Sequence, residues 1–195
     1  SYLFKDVLTF QNLRKPELLS KLVKLLAFQI GNEVSFHELA TQLGVDTSVV
    51  QKYVHLLEES FVIFRLGALS RNLRKEVSKT RKIYFWDLGI RNTLIQNLNP
   101  LNLRNDTGPL WENFCVVERL KMLEYNRINC NQYFWRTYTQ KEIDYIEEKN
   151  GKFSAFEFKW GNIKKIKTPN EFLETYKDST FTVVGKENID EFIDF

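Results

Sequence analysis

Three short segments rich in aromatic and β-branched residues follow one another closely in the second half of the chain. They cover residues 132–138, 141–147 and 153–160. Alternation of apolar and polar side chains is typical of β-strands, and both Thr139-Gln140 and Gly151 suit tight turns. The sequence therefore predicts three antiparallel strands, and any fold of this half must be built around them.

Further elements are predicted on both sides of these strands. Apolar residues recur at helical spacing after Gly108-Pro109, which predicts a helix over residues 108–125. A second helix is predicted at 169–176 and a fourth strand at 181–184. The order of helix, three strands, helix and strand indicates an α/β domain over residues 108–195.

Four charged side chains fall where this domain can use them for chemistry. Asp144 lies on the second strand, Glu157 and Lys159 lie within an apolar third strand, and Glu112 lies on the preceding helix. Charges inside an apolar strand are costly and need a reason. Antiparallel pairing can bring these groups together at one edge of the sheet.

Such a set of groups matches the needs of phosphodiester hydrolysis. Carboxylate oxygens are the usual ligands of Mg²⁺ or Mn²⁺, which polarise a phosphate and lower the pKa of a bound water. A nearby lysine stabilises the developing negative charge. The sequence thus predicts a metal site at Glu112, Asp144 and Glu157, with Lys159 as a further catalytic residue. The alternative is an edge strand whose charges face solvent.

The first half of the chain has a helical pattern. Helices are predicted at residues 17–30, from the capping box Ser35-Phe36-His37-Glu38 to about Gly44, and at 47–59. A short helix, a glycine turn and a longer helix form a helix-turn-helix, whose second helix contacts DNA in DNA-binding proteins. Its outward residues are predicted to be Thr47, Ser48, Gln51, Lys52 and His55.

Two β-rich segments, 61–69 and 82–86, follow this helix-turn-helix, and a basic segment separates them. Residues 70–82 carry six basic residues and one acidic residue. A hairpin with a basic tip after a helix-turn-helix indicates a winged helix, predicted over residues 1–96. Its predicted phosphate contacts are Arg71, Arg74, Lys75, Lys79 and Arg81. The alternative is a protein-binding module whose charged wing is solvated.

The remaining features limit the possible classes of protein. Residues 97–107 are polar and rich in asparagine, which predicts a linker between the two domains. No apolar run approaches the roughly 20 residues that span a membrane. Only two cysteines are present, Cys115 and Cys130, and they lack metal-ligand spacing, so a cytoplasmic location is predicted.

Five short stretches stand in a fixed order along the chain. They are YFWDLGIR at 84–91, GPLWENF at 108–114, FWRT at 134–137, KEIDYI at 141–146 and FEFKW at 156–160. Together they resemble the region that follows the ATPase domain in a large family of prokaryotic AAA+-type ATPases.

The resemblance implies a two-domain chain, a winged helix followed by a restriction-endonuclease-like α/β domain of the PD-(D/E)-x-K superfamily. Its active-site positions fall on Glu112, Asp144, Glu157 and Lys159, although isoleucine stands where the superfamily's proline precedes Asp144. It also implies an N-terminal ATPase domain in the same polypeptide. The chain itself has no phosphate-binding loop of the type G-x-x-x-x-G-K-[ST] and hence no ATP site.

Two functions therefore remain open. The first is a DNA-associated module of such an ATPase with a Mg²⁺- or Mn²⁺-dependent nuclease site. The second is a catalytically silent module that binds DNA or protein and regulates the ATPase. The four polar residues at the active-site positions favour the first. The charge of residues 101–195, with 14 basic and 16 acidic side chains, weighs against this domain attracting DNA without the basic segment 70–82.

Overall fold

The computed structural model describes residues 16–71, 80–161 and 166–194. Within these ranges the fold is mixed α/β, with seven α-helices and six strands. The described residues within Ser1–Arg65 and Ile83–Leu98 form one compact unit (unit 1), and those within Leu66–Lys82 and Asn99–Phe195 form a second (unit 2). Across the described ranges, the helices are too short or too polar to cross a bilayer.

Unit 1 is mainly helical, and its first three helices form where the sequence predicts them. They are α1 (Pro16–Phe28), α2 (Phe36–Leu43), α3 (Thr47–Glu59) and α4 (Leu88–Leu94). The hydroxyl of Ser35 accepts a hydrogen bond from the Glu38 N–H at 3.3 Å, as expected of a helix cap. Gly44 ends α2 with φ at 65°, in the left-handed region that favours glycine. The apolar stripes of α1 and α3 face inward and are buried.

Helix α4 was not predicted, and it explains the segment DLGIR. Asp87 caps the helix, since its Oδ1 accepts from the Ile90 N–H at 2.9 Å. A side chain at Gly89 would stand 3.0 Å from that same oxygen. Arg91 is buried, with 2% of its surface exposed, and its Nε donates to the Ala27 carbonyl at 2.8 Å, near the end of α1. The segment therefore stabilises the fold of unit 1.

The strands form one mixed sheet in the order β2-β1-β3-β4-β5-β6. The bounds are β1 Ile63–Ala68, β2 Arg81–Phe85, β3 Asn131–Arg136, β4 Glu142–Lys149, β5 Lys152–Phe158 and β6 Thr180–Val184. The predicted antiparallel pairing of β3, β4 and β5 is confirmed. Strands β1 and β3 are parallel, as are β5 and β6.

Helices cover the sheet in unit 2. They are α5 (Thr107–Tyr125), α6 (Asn170–Thr175) and α7 (Ile189–Ile193), and α5 packs on β5 and α7. Arg119 of α5 donates two hydrogen bonds to the carboxylate of Glu147 on β4, at 2.7 and 3.0 Å. This bidentate pair fixes α5 against the sheet. One buried core includes Trp135, Ile143, Ile146, Phe153 and Phe172.

Replacing Arg91 by methionine tests the role of the DLGIR segment in unit 1. We expect the free energy of unfolding to fall by about 2 kcal/mol, because the Ala27 carbonyl loses a buried donor. The exposed Lys24 on α1 provides the control, and Lys24→Met should change stability by less than about 0.5 kcal/mol. Urea unfolding measures both. Equal stability of the two variants would show that the Arg91 contact contributes nothing.

Candidate functional site

The predicted acidic residues occupy neighbouring elements of unit 2. Strands β4 and β5 pair in a register that includes Tyr145↔Phe156, so Asp144 and Glu157 lie opposite each other one position further on. Side chains at such positions are about 5 Å apart at Cβ. Glu112 is on α5, 13% exposed, and its carboxylate points to the same group of side chains. The strand register therefore brings Asp144 and Glu157 together, and Glu112 faces the same lysine as Asp144.

The carboxylate of Asp144 is held in place from two sides. Its Oδ2 accepts from the Phe158 N–H of β5 at 3.0 Å, and its Oδ1 lies 3.4 Å from Nζ of Lys82. The residue is buried, at 8% exposure. Hydrogen bonding by a backbone N–H orients this carboxylate relative to the strands.

The centre of the group is the amine of Lys82. This Nζ lies 2.9 Å from Oε1 of Glu112, 2.5 Å from Oε1 of Glu142 and 3.4 Å from Oδ1 of Asp144. Lys82 stands at the start of β2 and is 1% exposed. Such a buried ammonium needs several anionic partners to offset its desolvation. We call Lys82, Glu112, Glu142 and Asp144 the lysine-centred cluster.

Lys159 pairs with a different carboxylate. Its Nζ lies 2.6 Å from Oε1 of Glu157, with side-chain exposures of 42% and 16%. Glu142, at the rim of the lysine-centred cluster, also lies 3.5 Å from a guanidinium nitrogen of Arg136. Positive and negative side chains thus alternate through the whole site.

The pKa shifts follow from this arrangement. Burial alone lowers the pKa of Lys82, but the carboxylates of Glu112, Asp144 and Glu142 outweigh it and hold the pKa above its ordinary value. Burial raises the pKa of Glu157, and the Asp144 carboxylate raises it further, against the effect of Lys159. The ammonium of Lys82 therefore remains charged, and the cluster depends on its charge.

A divalent cation does not fit the carboxylates in this arrangement. Within residues 16–71, 80–161 and 166–194, no three His, Cys, Asp or Glu side chains are grouped so as to hold a metal. Nζ of Lys82 already lies within hydrogen-bond distance of Glu112 and Glu142. Oδ2 of Asp144 accepts a hydrogen bond from the Phe158 N–H. The cation at this position is the protein's own amine.

Lys82, Glu142 and Arg136 were missed by the sequence interpretation. The sequence pattern groups Lys82 with the basic segment 70–82 of the predicted wing, whereas the structure buries it. A charged residue directly before the apolar run Ile83–Trp86 was the available signal. The alternation predicted for this strand already places Glu142 on the same face as Asp144, but it does not assign Glu142 to the site.

The residues predicted to contact nucleic acid have varied environments. Ser48, Gln51 and Lys52 are exposed on α3, and Arg81 is exposed at the start of β2. Arg71 is also exposed, but it forms an ion pair with Glu148 and lies over the Phe153 ring. The predicted residues Arg74, Lys75 and Lys79 lie outside the described residues.

The two lysines of the site should differ sharply in their effect on stability. We expect Lys82→Met to lower the free energy of unfolding by about 3–5 kcal/mol, because it leaves buried carboxylates without their cation. Lys159→Met should cost less than about 1 kcal/mol, since its ion pair is partly exposed. Chemical denaturation in the presence of a chelator compares them. Similar losses in both variants would contradict the central position of Lys82.

Comparison with known proteins adds relatives but no described activity. Uncharacterized proteins of Mycobacterium tuberculosis and Mycobacterium bovis are each 29% identical to the chain over 148 residues. The match covers 75% of this chain and 32% of each relative, so the chain spans about a third of their length. No solved structure matches.

Two family models match successive parts of the chain. Residues 1–104 match the Domain of unknown function (DUF8612), and residues 107–194 match the Domain of unknown function (DUF4143). The boundary between them falls inside the predicted linker. Since the first match covers more than half of the sequence, the chain belongs to the DUF8612 family, with a DUF4143 domain at residues 107–194.

Proposed function

We propose that this chain is a non-catalytic, DNA-binding C-terminal module of a longer ATPase. In this proposal unit 1 contributes a winged-helix-type DNA contact, and unit 2 is a nuclease-like scaffold whose acidic site is closed by an internal ion pair network. The observation that carries it is the position of Lys82, with Nζ 2.9 Å from Glu112, 2.5 Å from Glu142 and 3.4 Å from Asp144.

Closure of the acidic site argues for a scaffold for an energetic reason. A divalent cation would have to displace the buried Lys82 ammonium or share its ligands, and like charges a few ångströms apart repel strongly in a desolvated site. In the part of the chain that the structure describes, no three potential ligands are grouped so as to hold a metal ion. The carboxylates therefore serve the fold of unit 2, and hydrolysis is not part of the proposed function.

The larger protein enters the proposal through length and resemblance. The mycobacterial relatives extend well beyond the aligned region, which is 32% of their length. The GPLWENF and DLGIR stretches resemble the region that follows an ATPase domain. We infer that the partner of this chain in the intact protein is an ATPase domain of the same polypeptide.

The DNA contact is assigned to helix α3. Ser48, Gln51 and Lys52 are exposed at helical spacing on one side of the helix, and His55 continues the row. Polar and basic side chains in this arrangement are suited to contacts with phosphates and base edges. Buried residues such as Val50 and Val54 hold the opposite face in the core of unit 1.

A second candidate function is supported by one specific observation. Glu157 and Lys159 lie beside Asp144 in the positions that the resemblance gives to a Mg²⁺- or Mn²⁺-dependent endonuclease. Glu157 is shielded, and its raised pKa follows from burial and from Asp144. This candidate requires a metal to bind in the presence of Lys82.

Calorimetric titration with Mn²⁺ separates the two candidates. For the wild-type chain we expect no saturable binding at millimolar Mn²⁺, and no cleavage of single-stranded, duplex or branched DNA. The Glu157→Ala/Lys159→Ala variant is the matched control and should give the same flat titration. Saturable binding in the wild type that disappears in this variant would refute the scaffold and establish the nuclease site.

The proposed DNA contact predicts an effect of a single charge reversal. Lys52→Glu should weaken binding to duplex DNA by on the order of tenfold and reduce the slope of log affinity against log salt by about 1. Lys24→Glu makes the same charge change at an exposed position of α1 and should leave the salt slope closer to wild type. Fluorescence anisotropy at several salt concentrations measures both.

The basic segment is tested separately from α3. Combined charge reversal at Arg74, Lys75 and Lys79 should also flatten the salt dependence if this segment contacts phosphates. Unchanged affinity in both Lys52→Glu and the triple variant would contradict DNA binding and favour the protein-binding alternative.

A further inference from the structure

We propose that a second pocket of unit 2, at the tip of the β4–β5 hairpin, binds a phosphomonoester, which is a phosphate group joined to one organic substituent. The pocket has a volume of about 460 Å³, and its lining includes Lys149, Lys152 and Ser154. We call it the hairpin pocket. None of its lining residues belongs to the lysine-centred cluster or to α3, so the proposal stands or falls independently of the proposed function.

The tight turn of the hairpin places two lysines side by side. Asn150 and Gly151 have φ angles of 53° and 76°, and positive φ at both central residues is typical of a two-residue type I′ turn. Lys149 pairs directly with Lys152 across this turn. Side chains at such positions have their Cβ atoms about 5 Å apart. Because both lysines line the hairpin pocket, two positive charges border the same space.

This pair of like charges has no counter-ion in the described part of the chain. Neither Lys149 nor Lys152 forms an ion pair or a hydrogen bond with a described residue. The acidic side chains of β4 and β5, in contrast, all have a cationic partner: Glu142 and Asp144 pair with Lys82, Glu147 with Arg119, Glu148 with Arg71, and Glu157 with Lys159. Like charges directly opposite each other destabilise a strand pair. An anion bound between the lysines would remove this repulsion.

The charge of the hairpin pocket matches that of a phosphomonoester. Lys149 and Lys152 contribute two positive charges, and Glu147 contributes one negative charge to the lining. The Glu147 carboxylate is 8% exposed and accepts two hydrogen bonds from Arg119, at 2.7 and 3.0 Å, which offsets its charge. Two positive charges therefore remain. A phosphomonoester carries a charge of about −2 at neutral pH, whereas each phosphodiester carries only one negative charge.

Neutral groups complete the hairpin pocket. The hydroxyl of Ser154 is half-buried and has no hydrogen-bond partner among the described residues, so it is available to a phosphate oxygen, which is a strong acceptor. Burial raises the pKa of the Cys130 thiol, so this lining residue stays neutral and adds no negative charge. Ile128 adds an apolar side chain. Pockets for small molecules have volumes of about 300–1,000 Å³, so the organic substituent also has room.

NMR titration of the full chain with three related nucleosides tests the proposal. Adenosine monophosphate (AMP) carries a phosphomonoester, cyclic AMP carries a phosphodiester on the same nucleoside, and adenosine carries no phosphate. AMP should shift the backbone amide signals of Asn150, Gly151 and Ser154 to saturation. Cyclic AMP should bind about tenfold more weakly, because it loses a charge-assisted hydrogen bond, and adenosine should cause no saturable shift.

Two glutamine variants provide the matched comparison. Lys149→Gln/Lys152→Gln should raise the Kd for AMP by about tenfold or more. Lys177→Gln removes an exposed lysine elsewhere in unit 2 and should change the Kd by less than about twofold, because salt screens distant charges. Without ligand, the double variant should unfold at the same urea concentration as wild type or a higher one, since it removes the repulsion. Weaker AMP binding by a stable variant therefore reports on the pocket itself.

A pair of oligonucleotides distinguishes a small ligand from a DNA end. Both have one sequence, and only one carries a 5′-phosphate, which is also a phosphomonoester. Tighter binding of the 5′-phosphorylated strand than of AMP or the 5′-hydroxyl strand, lost in the double variant, supports a DNA end as the ligand. Binding of the 5′-phosphorylated strand no tighter than AMP supports a small phosphomonoester.

Three results would overturn the proposal. They are the absence of a saturable AMP shift at the hairpin pocket, equal binding of AMP and either adenosine or cyclic AMP, and unchanged AMP binding in Lys149→Gln/Lys152→Gln. Each of them leaves the proposed function in place, because that function is tested by Mn²⁺ titration and by Lys52→Glu at other positions of the chain.

Discussion

The ammonium of Lys82 holds together acidic side chains that would repel one another inside unit 2. It contacts Glu112 of α5 and both Glu142 and Asp144 of β4, so one buried charge joins a helix, a sheet strand and the start of β2. Breaking such a network by removing one member costs much more than the network adds over an apolar core. In the proposed function, the same contacts that hold the acidic side chains of unit 2 together take the place of a metal ion.

Motifs that suggest chemistry in the sequence have structural roles in several places. Asp87 caps a helix, and Arg91 donates to the Ala27 carbonyl, so the DLGIR stretch stabilises unit 1. Trp111 of the GPLWENF stretch donates from its indole N–H to the Val184 carbonyl at 3.5 Å and packs edge-on against Trp160. The resemblance of these stretches to other proteins therefore indicates shared packing. A shared activity requires separate evidence.

Local sequence patterns predicted most of the helices and strands. They did not predict the contacts between residues that are distant in the sequence. Alternation and turn residues predicted β3 to β5, because these strands are neighbours in sequence and pair through short turns. The same register brings Asp144 opposite Glu157. Lys82 is 30 residues from Glu112 and 62 from Asp144, and its basic neighbours in residues 70–82 gave it the appearance of a surface charge. Only the folded sheet shows that this lysine, unlike Arg81 beside it, points into the protein.

The protonation state of Lys82 tests the account most directly, and ¹⁵N NMR of its side-chain amine as a function of pH measures it. The account predicts an ammonium signal that exchanges slowly with water and stays charged above the ordinary lysine pKa of 10.5, because three carboxylates outweigh the effect of burial. A Lys82 amine that titrates at or below that pH, or exchanges as fast as the exposed lysines, would contradict the lysine-centred cluster and reopen the site to a metal ion.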